Sequence, residues 1–277
     1  MKGSQSRRAH AYIEGIALWA PRLPGWEAAR GILRGEHPAP DTPVPRPTPS
    51  ILPAAERRRS PDAVAIALEV AGRACEHAGR NPAELASVFA STEGDLSISD
   101  YMAATLAANP LLISPTRFHN SVHNAPAGYW TIATGCMRAY TALSAHRYTF
   151  ANGLLEALVQ CASSGESVLF VAYDIEARGP LAAMARSRGM LSAAIIVSPK
   201  SGTNDAIELL WGLSEHLPAS KARRSSSAAL IAGNALESCL PLFEALAEEV
   251  PGEVQLSLSA HQTLCLEISG PRRMNPP

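Results

Sequence analysis

Few side chains in this 277-residue sequence have both the type and the setting that chemistry needs. Ser144, in the run Ala142-Leu143-Ser144-Ala145, stands at what reads as the tight start of an amphipathic helix. There the helix dipole and free backbone N–H groups can activate a nucleophile. A serine without a positioned base is a poor nucleophile, and no G-x-S-x-G elbow surrounds this one, so a helix cap or small packing residue is the plainer expectation. Cys136 comes eight residues earlier, ahead of the expected end of a strand, and reads as an inert core thiol. His119 and His123 have the i, i+4 spacing a metal can use, yet no H-E-x-x-H pattern and no third ligand accompany them. No metal is therefore expected there, and the two rings should hydrogen-bond within a packed segment or an interface. Tyr129 and Trp130 read as core aromatics, and the runs Arg57-Arg58-Arg59 and Lys221-Ala222-Arg223-Arg224 as solvated loop charge.

Bulk properties exclude several classes. A net charge of −1 argues against a general nucleic-acid binder. The apolar runs are far shorter than a membrane span, and the basic N-terminus is followed by no apolar signal segment. The five cysteines are scattered and lack C-x-x-C spacing, as reduced cytosolic thiols do. The expectation is a soluble cytoplasmic globular protein without cofactor, its 47% hydrophobic residues sufficient for one large core or two modest ones.

Elements that could position these residues alternate along the chain. His10 to Trp19, Ser87 to Ser91, Val168 to Tyr173 and Ala193 to Val197 read as strands, as do 206–213, 228–232, 254–258 and 263–268. Pro38 to Pro53 must be an extended surface loop, and 38–59 is read as one proline-rich connection. Ser60-Pro61-Asp62 reads as a helix start that stops at Gly79. In that helix Val64, Leu68, Ala71 and Cys75 share one face, and Glu69, Arg73, Glu76 and Arg80 the other. Ser238 to Val250 reads as a further helix. Strands alternating with helices predict an α/β fold with a mixed sheet.

The segments ERRRSPDAVAIALEVAGRACEHAG, SVFASTEGD, SPTRFHNSVHNAPAGYWTIATG, ALSA and SVLFVAYD follow one another in an order that resembles the N-terminal half of β-ketoacyl synthases. They are most similar to the short ketoacyl-synthase-like proteins known as chain length factors of aryl-polyene and related type II fatty-acid or polyketide clusters. HNSVHNAPAGYW is the most specific piece, and the resemblance runs from the first strand to Val197. It implies a thiolase-like fold in a single domain over 1–277, truncated relative to full ketosynthases, with 205–277 a shortened C-terminal part. It places the family's nucleophilic cysteine, counted from Gly135, on Ser144. Neither of the family's two histidine loops follows, and His146, His216 and His261 lack those surroundings.

The resemblance therefore implies a non-catalytic subunit that forms a heterodimer with a full-length ketosynthase and meets acyl carrier protein only indirectly. Its interface would use the Tyr140 to Ala145 strand and the Pro115 to Tyr129 segment, with Phe118, His119, His123, Tyr129 and Tyr140 as interface or tunnel-gating residues. Two alternatives stay open. One is an enzyme acting through Ser144 or Cys136; the other is a free-standing binder of acyl chains or carrier protein, with one basic run steering the acidic carrier.

Overall fold

The structure is a computed structural model that describes residues 8–185, 187–202 and 205–270. Eight strands form one mixed sheet: β1 (Ala9–Trp19), β2 (Ala86–Ala90), β3 (Tyr140–Leu143), β4 (Val168–Ile175), β5 (Met190–Ser198), β6 (Ile207–Glu215), β7 (Gly252–Ser257) and β8 (Gln262–Ile268). Their spatial order is β3-β2-β4-β5-β1-β6-β8-β7. β2 runs parallel to β3 and β4, and every other pairing is antiparallel. This is the mixed sheet expected of a thiolase-like ketosynthase fold.

The helices are α1 (Trp26–Arg34), α2 (Ala54–Arg59), α3 (Asp62–Ala78), α4 (Leu96–Ala108), α5 (Pro115–His119), α6 (Ala125–Thr134), α7 (Thr149–Ser164), α8 (Ser225–Leu230) and α9 (Leu240–Glu248). The central strands read as unbroken apolar runs because both their faces are covered. Val168, Phe170 and Ala172 of β4 point to the layer of α1, α7 and α9, while Leu169, Val171 and Tyr173 point to the layer of α3 and α6. Residues two apart share a face, so one strand feeds two cores. A bulge between Ile13 and Gly15 shifts β1, so that Ile13 and then Ile16 and Leu18 face the same layer.

Two glycines set how closely the layers approach. A Cβ on Gly15 would stand 2.4 Å from the Ala74 carbonyl oxygen of α3, and one on Gly153 of α7 would stand 2.6 Å from the Phe170 ring. At the bulge, the buried Glu14 carboxylate accepts Nη2–H of Arg80 at 2.6 Å, the Ser198 hydroxyl at 2.7 Å and the Gly202 N–H at 2.8 Å. A buried charge is tolerated only when its lone pairs are met in this way.

Four local expectations are corrected. Ser60 does not cap α3: Pro61 holds that position, and the Ser60 hydroxyl donates to the Arg57 carbonyl instead. The stretch 38–59 is not all loop, because 54–59 form α2, and the Arg46 guanidinium donates to the Arg57 carbonyl within it and to the carbonyl of Ser60 at its C-cap. Residues 228–232 do not form a strand: 225–230 turn as α8, with Ile231 buried in the α1–α9 layer. The run 221–224 is not free charge. Arg223 and Arg224 donate backbone N–H to Glu244, and both guanidinium groups pair with Glu248.

Candidate functional site

The carboxyl ends of β2, β3 and β4 converge with the segment 91–124. The Ser144 hydroxyl stands at the end of β3 and is exposed. It donates its proton to the Thr92 carbonyl at 2.9 Å, an acceptor that cannot serve as a general base. It is not a helix cap. Tyr148 holds the N-cap of α7 without a side-chain bond, and Thr149, the first helical residue, ties the preceding turn, its Oγ1 accepting the Ala145 N–H at 3.0 Å and donating to the His146 carbonyl at 2.6 Å. The sharp point of the strand-to-helix turn lies at His146, whose φ is 53°. A left-handed backbone costs a non-glycine residue about 1–3 kcal/mol and is retained only where the surroundings impose it.

Cys136 belongs to the opposite end of the sheet. It is buried, and its thiol donates to the carbonyl of Leu85, the residue before β2, whereas Thr92 and Ser144 lie beyond the far end of that strand. Other buried thiols are poor nucleophiles. Desolvation pushes Cys75 and Cys239 up to about 12 and Cys161 to about 11, so neutral pH leaves them protonated.

The two histidines at i, i+4 are claimed by different partners. His119 stacks edge-on against Tyr129, ring centroids 6.2 Å apart, while His123 Nε2 lies 2.9 Å from the Ser91 carbonyl. The Tyr173 hydroxyl donates to the His123 carbonyl, and burial pushes that phenol well above its ordinary range. Tyr140 receives the Asn124 side-chain N–H at 2.9 Å, which ties the edge strand to the start of α6. Trp130 is fully buried, as expected, and Tyr129 is half-buried. His216 and His261 meet edge-on, centroids 5.4 Å apart, where β6 ends and β8 begins, on the other half of the sheet. Among the described residues no group of three or more His, Cys, Asp or Glu is placed to hold a metal ion.

A feature not singled out from the sequence dominates this end of the molecule. α4 is thirteen residues long, yet Ile98 is its only buried residue. The surface continues through Leu111 (93% exposed), Leu112 (69%) and Phe118 (61%) to Ile132 (80%) on α6. Beside it a cavity of about 700 Å³ is lined by Ile51, Leu52, Pro115, His119, Tyr129 and Ile132, among others. The signal was present: residues 96–116 carry one charge, Asp100, and in α4 Ser97, Asp100, Tyr101 and Thr105 share the half-buried side while Ala103, Ala104, Leu106, Ala107 and Ala108 are exposed. An ordinary surface helix turns its polar side outward instead. β3 adjoins the same surface as the last strand of the sheet, so among the described residues one row of its backbone groups has no strand beside it.

The sequence matches the family model described as "Beta-ketoacyl synthase, N-terminal domain" over residues 32–249. The chain belongs to the β-ketoacyl synthase family. Solved structures similar to it include the ketosynthase ApeO in complex with its chain length factor ApeC from Xenorhabdus doucetiae. There the likeness has a TM-score of 0.69 at 20% identity and covers 92% of this chain and 98% of that one. A type II polyketide ketosynthase in complex with its acyl-carrier protein, AntDE:AntF, gives 0.72 at 11% identity over 95% and 100%. The ishigamide ketosynthase/chain length factor gives 0.60 at 13% identity over 95% and 100%. At these identities the likeness is one of fold. No curated protein sequence matches the chain significantly. Among the described residues no helix is long and apolar enough to cross a membrane.

Proposed function

We propose that this ketosynthase-family chain is a non-catalytic chain length factor. It pairs with an active ketosynthase and helps set acyl or polyene chain length in a type II fatty-acid or polyketide-like pathway, of which an aryl-polyene cluster is the closest fit. The observation that carries this reading is the uncovered apolar surface running from α4 through α5 to Ile132, beside the edge strand β3. Contiguous exposed apolar area of this kind marks a partner site, and an open strand edge invites pairing. An obligate interface here should bury more than about 2,000 Å² in total.

Two features support a subunit without condensation chemistry of its own. The Ser144 proton is given to a backbone carbonyl, and the turn into α7 carries a histidine rather than a thiol at its strained point. Ser144 thus remains the degenerate nucleophile position by sequence count. The purified chain, offered malonyl- and acyl-loaded carrier protein, should neither decarboxylate nor condense them. A stable acyl adduct on Ser144, abolished by Ser144→Ala, overturns this assignment in favour of an acyltransferase. The Ser144→Cys variant should remain inactive, because a thiol alone supplies no decarboxylation step.

Of the gating candidates, His119 and Tyr129 line the 700 Å³ cavity and meet edge-on there, while Phe118 is not among its lining and His123 is held against Ser91; His119 is the more exposed of the pair and so the easier to replace. A rigid ring at the end of an apolar channel excludes further carbons by volume.

A further inference from the structure

We infer that Asp174, at the end of β4, is the positioning residue of the partner-facing edge. Its carboxylate holds the Ser91–Gly94 loop, and through that loop it fixes the end of β3 and the connection into α6. This rests on the partner reading above, which assigns that edge its role.

The geometry is a chain of contacts with one anchor. Asp174 is completely buried. Its Oδ1 accepts the Ser91 hydroxyl at 3.0 Å and the Glu93 N–H at 3.2 Å, and its Oδ2 accepts the Thr92 N–H at 2.9 Å. Ser91 Oγ in turn accepts the Gly94 N–H at 2.9 Å, closing the turn. The loop so held offers its outer groups to two neighbours. The Thr92 carbonyl receives the Ser144 hydroxyl from β3, and the Ser91 carbonyl meets His123 ahead of α6. The Ser91 N–H also reaches the Leu143 carbonyl of β3. Edge strand and interface segment thus share one support.

The ionised carboxylate is the form matched to this site. Both oxygens face donors, so the NH₂ of an asparagine would set donor against donor, and a proton on either oxygen takes up one acceptor position. Burial pushes Asp174 up to about 6 despite the hydrogen bonds from Thr92, Glu93 and Ser91. The clamp is therefore complete at pH 7.5 and lost as pH falls through about 6. The other ionisable groups around it are Glu93 and Asp95 on the loop, His123 before α6, His146 beyond β3, Tyr173 beside it and Arg188 across from Asn234. Linkage to global stability has the opposite sign. A carboxyl with a raised folded-state pKa contributes more stability as pH falls from about 6 toward the ordinary 3.8. Loosening of the loop in acid is thus separable from unfolding.

The test uses amide hydrogen exchange of the chain, expressed as protection factors, together with its affinity for candidate full-length ketosynthases of the same organism. In the native chain, protection at Thr92 and Glu93 should fall at least about tenfold between pH 7.5 and pH 5, with a midpoint near 6. In Asp174→Asn it should already be low at pH 7.5 and flat with pH, and the ketosynthase should bind at least about tenfold more weakly. Ser91→Ala, which keeps the carboxylate but removes one donor to its charged form, should move the midpoint upward; it decides the matter if Asp174→Asn does not fold. A folded Asp174→Asn with native protection and native affinity overturns the inference, as does an unmoved midpoint in Ser91→Ala. If no ketosynthase binds the native chain, the partner reading fails, while the exchange data still decide the clamp.

Discussion

α3 and α4 are both rich in alanine and aliphatic side chains, yet they have opposite fates. α3 buries eleven of its seventeen residues between β1, β4, β5 and α6, whereas α4 buries one of thirteen. The difference is not composition but polarity pattern. α3 carries Glu69, Arg73 and Glu76 on one side, tied by ion pairs of 2.8–2.9 Å, so it has a solvent face and a core face. α4 instead turns Ser97, Asp100, Tyr101 and Thr105 to its half-buried side and leaves mostly alanine and leucine outward. An outward side so poor in polar groups fits the partner reading proposed above.

The contrast can be broken from its most stable side first. Arg80→Ala strands the buried Glu14 carboxylate and should cost about 3–5 kcal/mol, read by denaturant unfolding. Ile66→Ala, in the middle of α3, should cost about 2–5 kcal/mol by the same measurement. On the exposed arm, replacing Leu111 and Leu112 by serine should leave the stability of the isolated chain within about 0.5 kcal/mol per site. The same pair should weaken ketosynthase binding by about 2 kcal/mol or more, measured by calorimetry. A stability loss on the arm as large as that in α3 would show that α4 and α5 belong to the core of the chain.

Smaller effects sharpen the picture. His119→Ala should shift products of the reconstituted pair toward longer chains, since each further buried methylene is worth about 0.8 kcal/mol, enough to bias a length distribution several-fold. Unchanged lengths with the complex intact would place the gate elsewhere. His146→Gly removes the left-handed strain at the turn and should stabilise the chain by about 0.5–1 kcal/mol, net of the entropy glycine costs.

The fold was legible where chemistry is local and repeated. VLFVAY announces a strand buried on both faces, and the alternating faces of α3 are visible in its sequence. The 228–232 run misled because a short apolar stretch looks alike in a strand and a buried helix. Here the helix ends at Leu230 with Ile231 as its C-cap, and Gly233, with φ 79°, turns the chain two residues beyond that cap. At the site, HNSVHNAPAGYW marks the segment that lies beside the edge strand, and the count from Gly135 reaches Ser144 at the end of β3, two residues before the left-handed turn at His146. Asp174 was invisible as a support because its partners, Ser91 to Glu93, lie more than eighty residues away. A sequence alone does not reveal which distant loop a buried carboxylate will hold.

The most direct test of the partner reading is hydrogen–deuterium exchange of the chain alone and with each candidate full-length ketosynthase of the same organism, both at tens of micromolar. New protection should appear on 96–124 and 140–144, with no change on α1, α9 and β7. Protection confined to those distant elements, or none anywhere, would contradict the account.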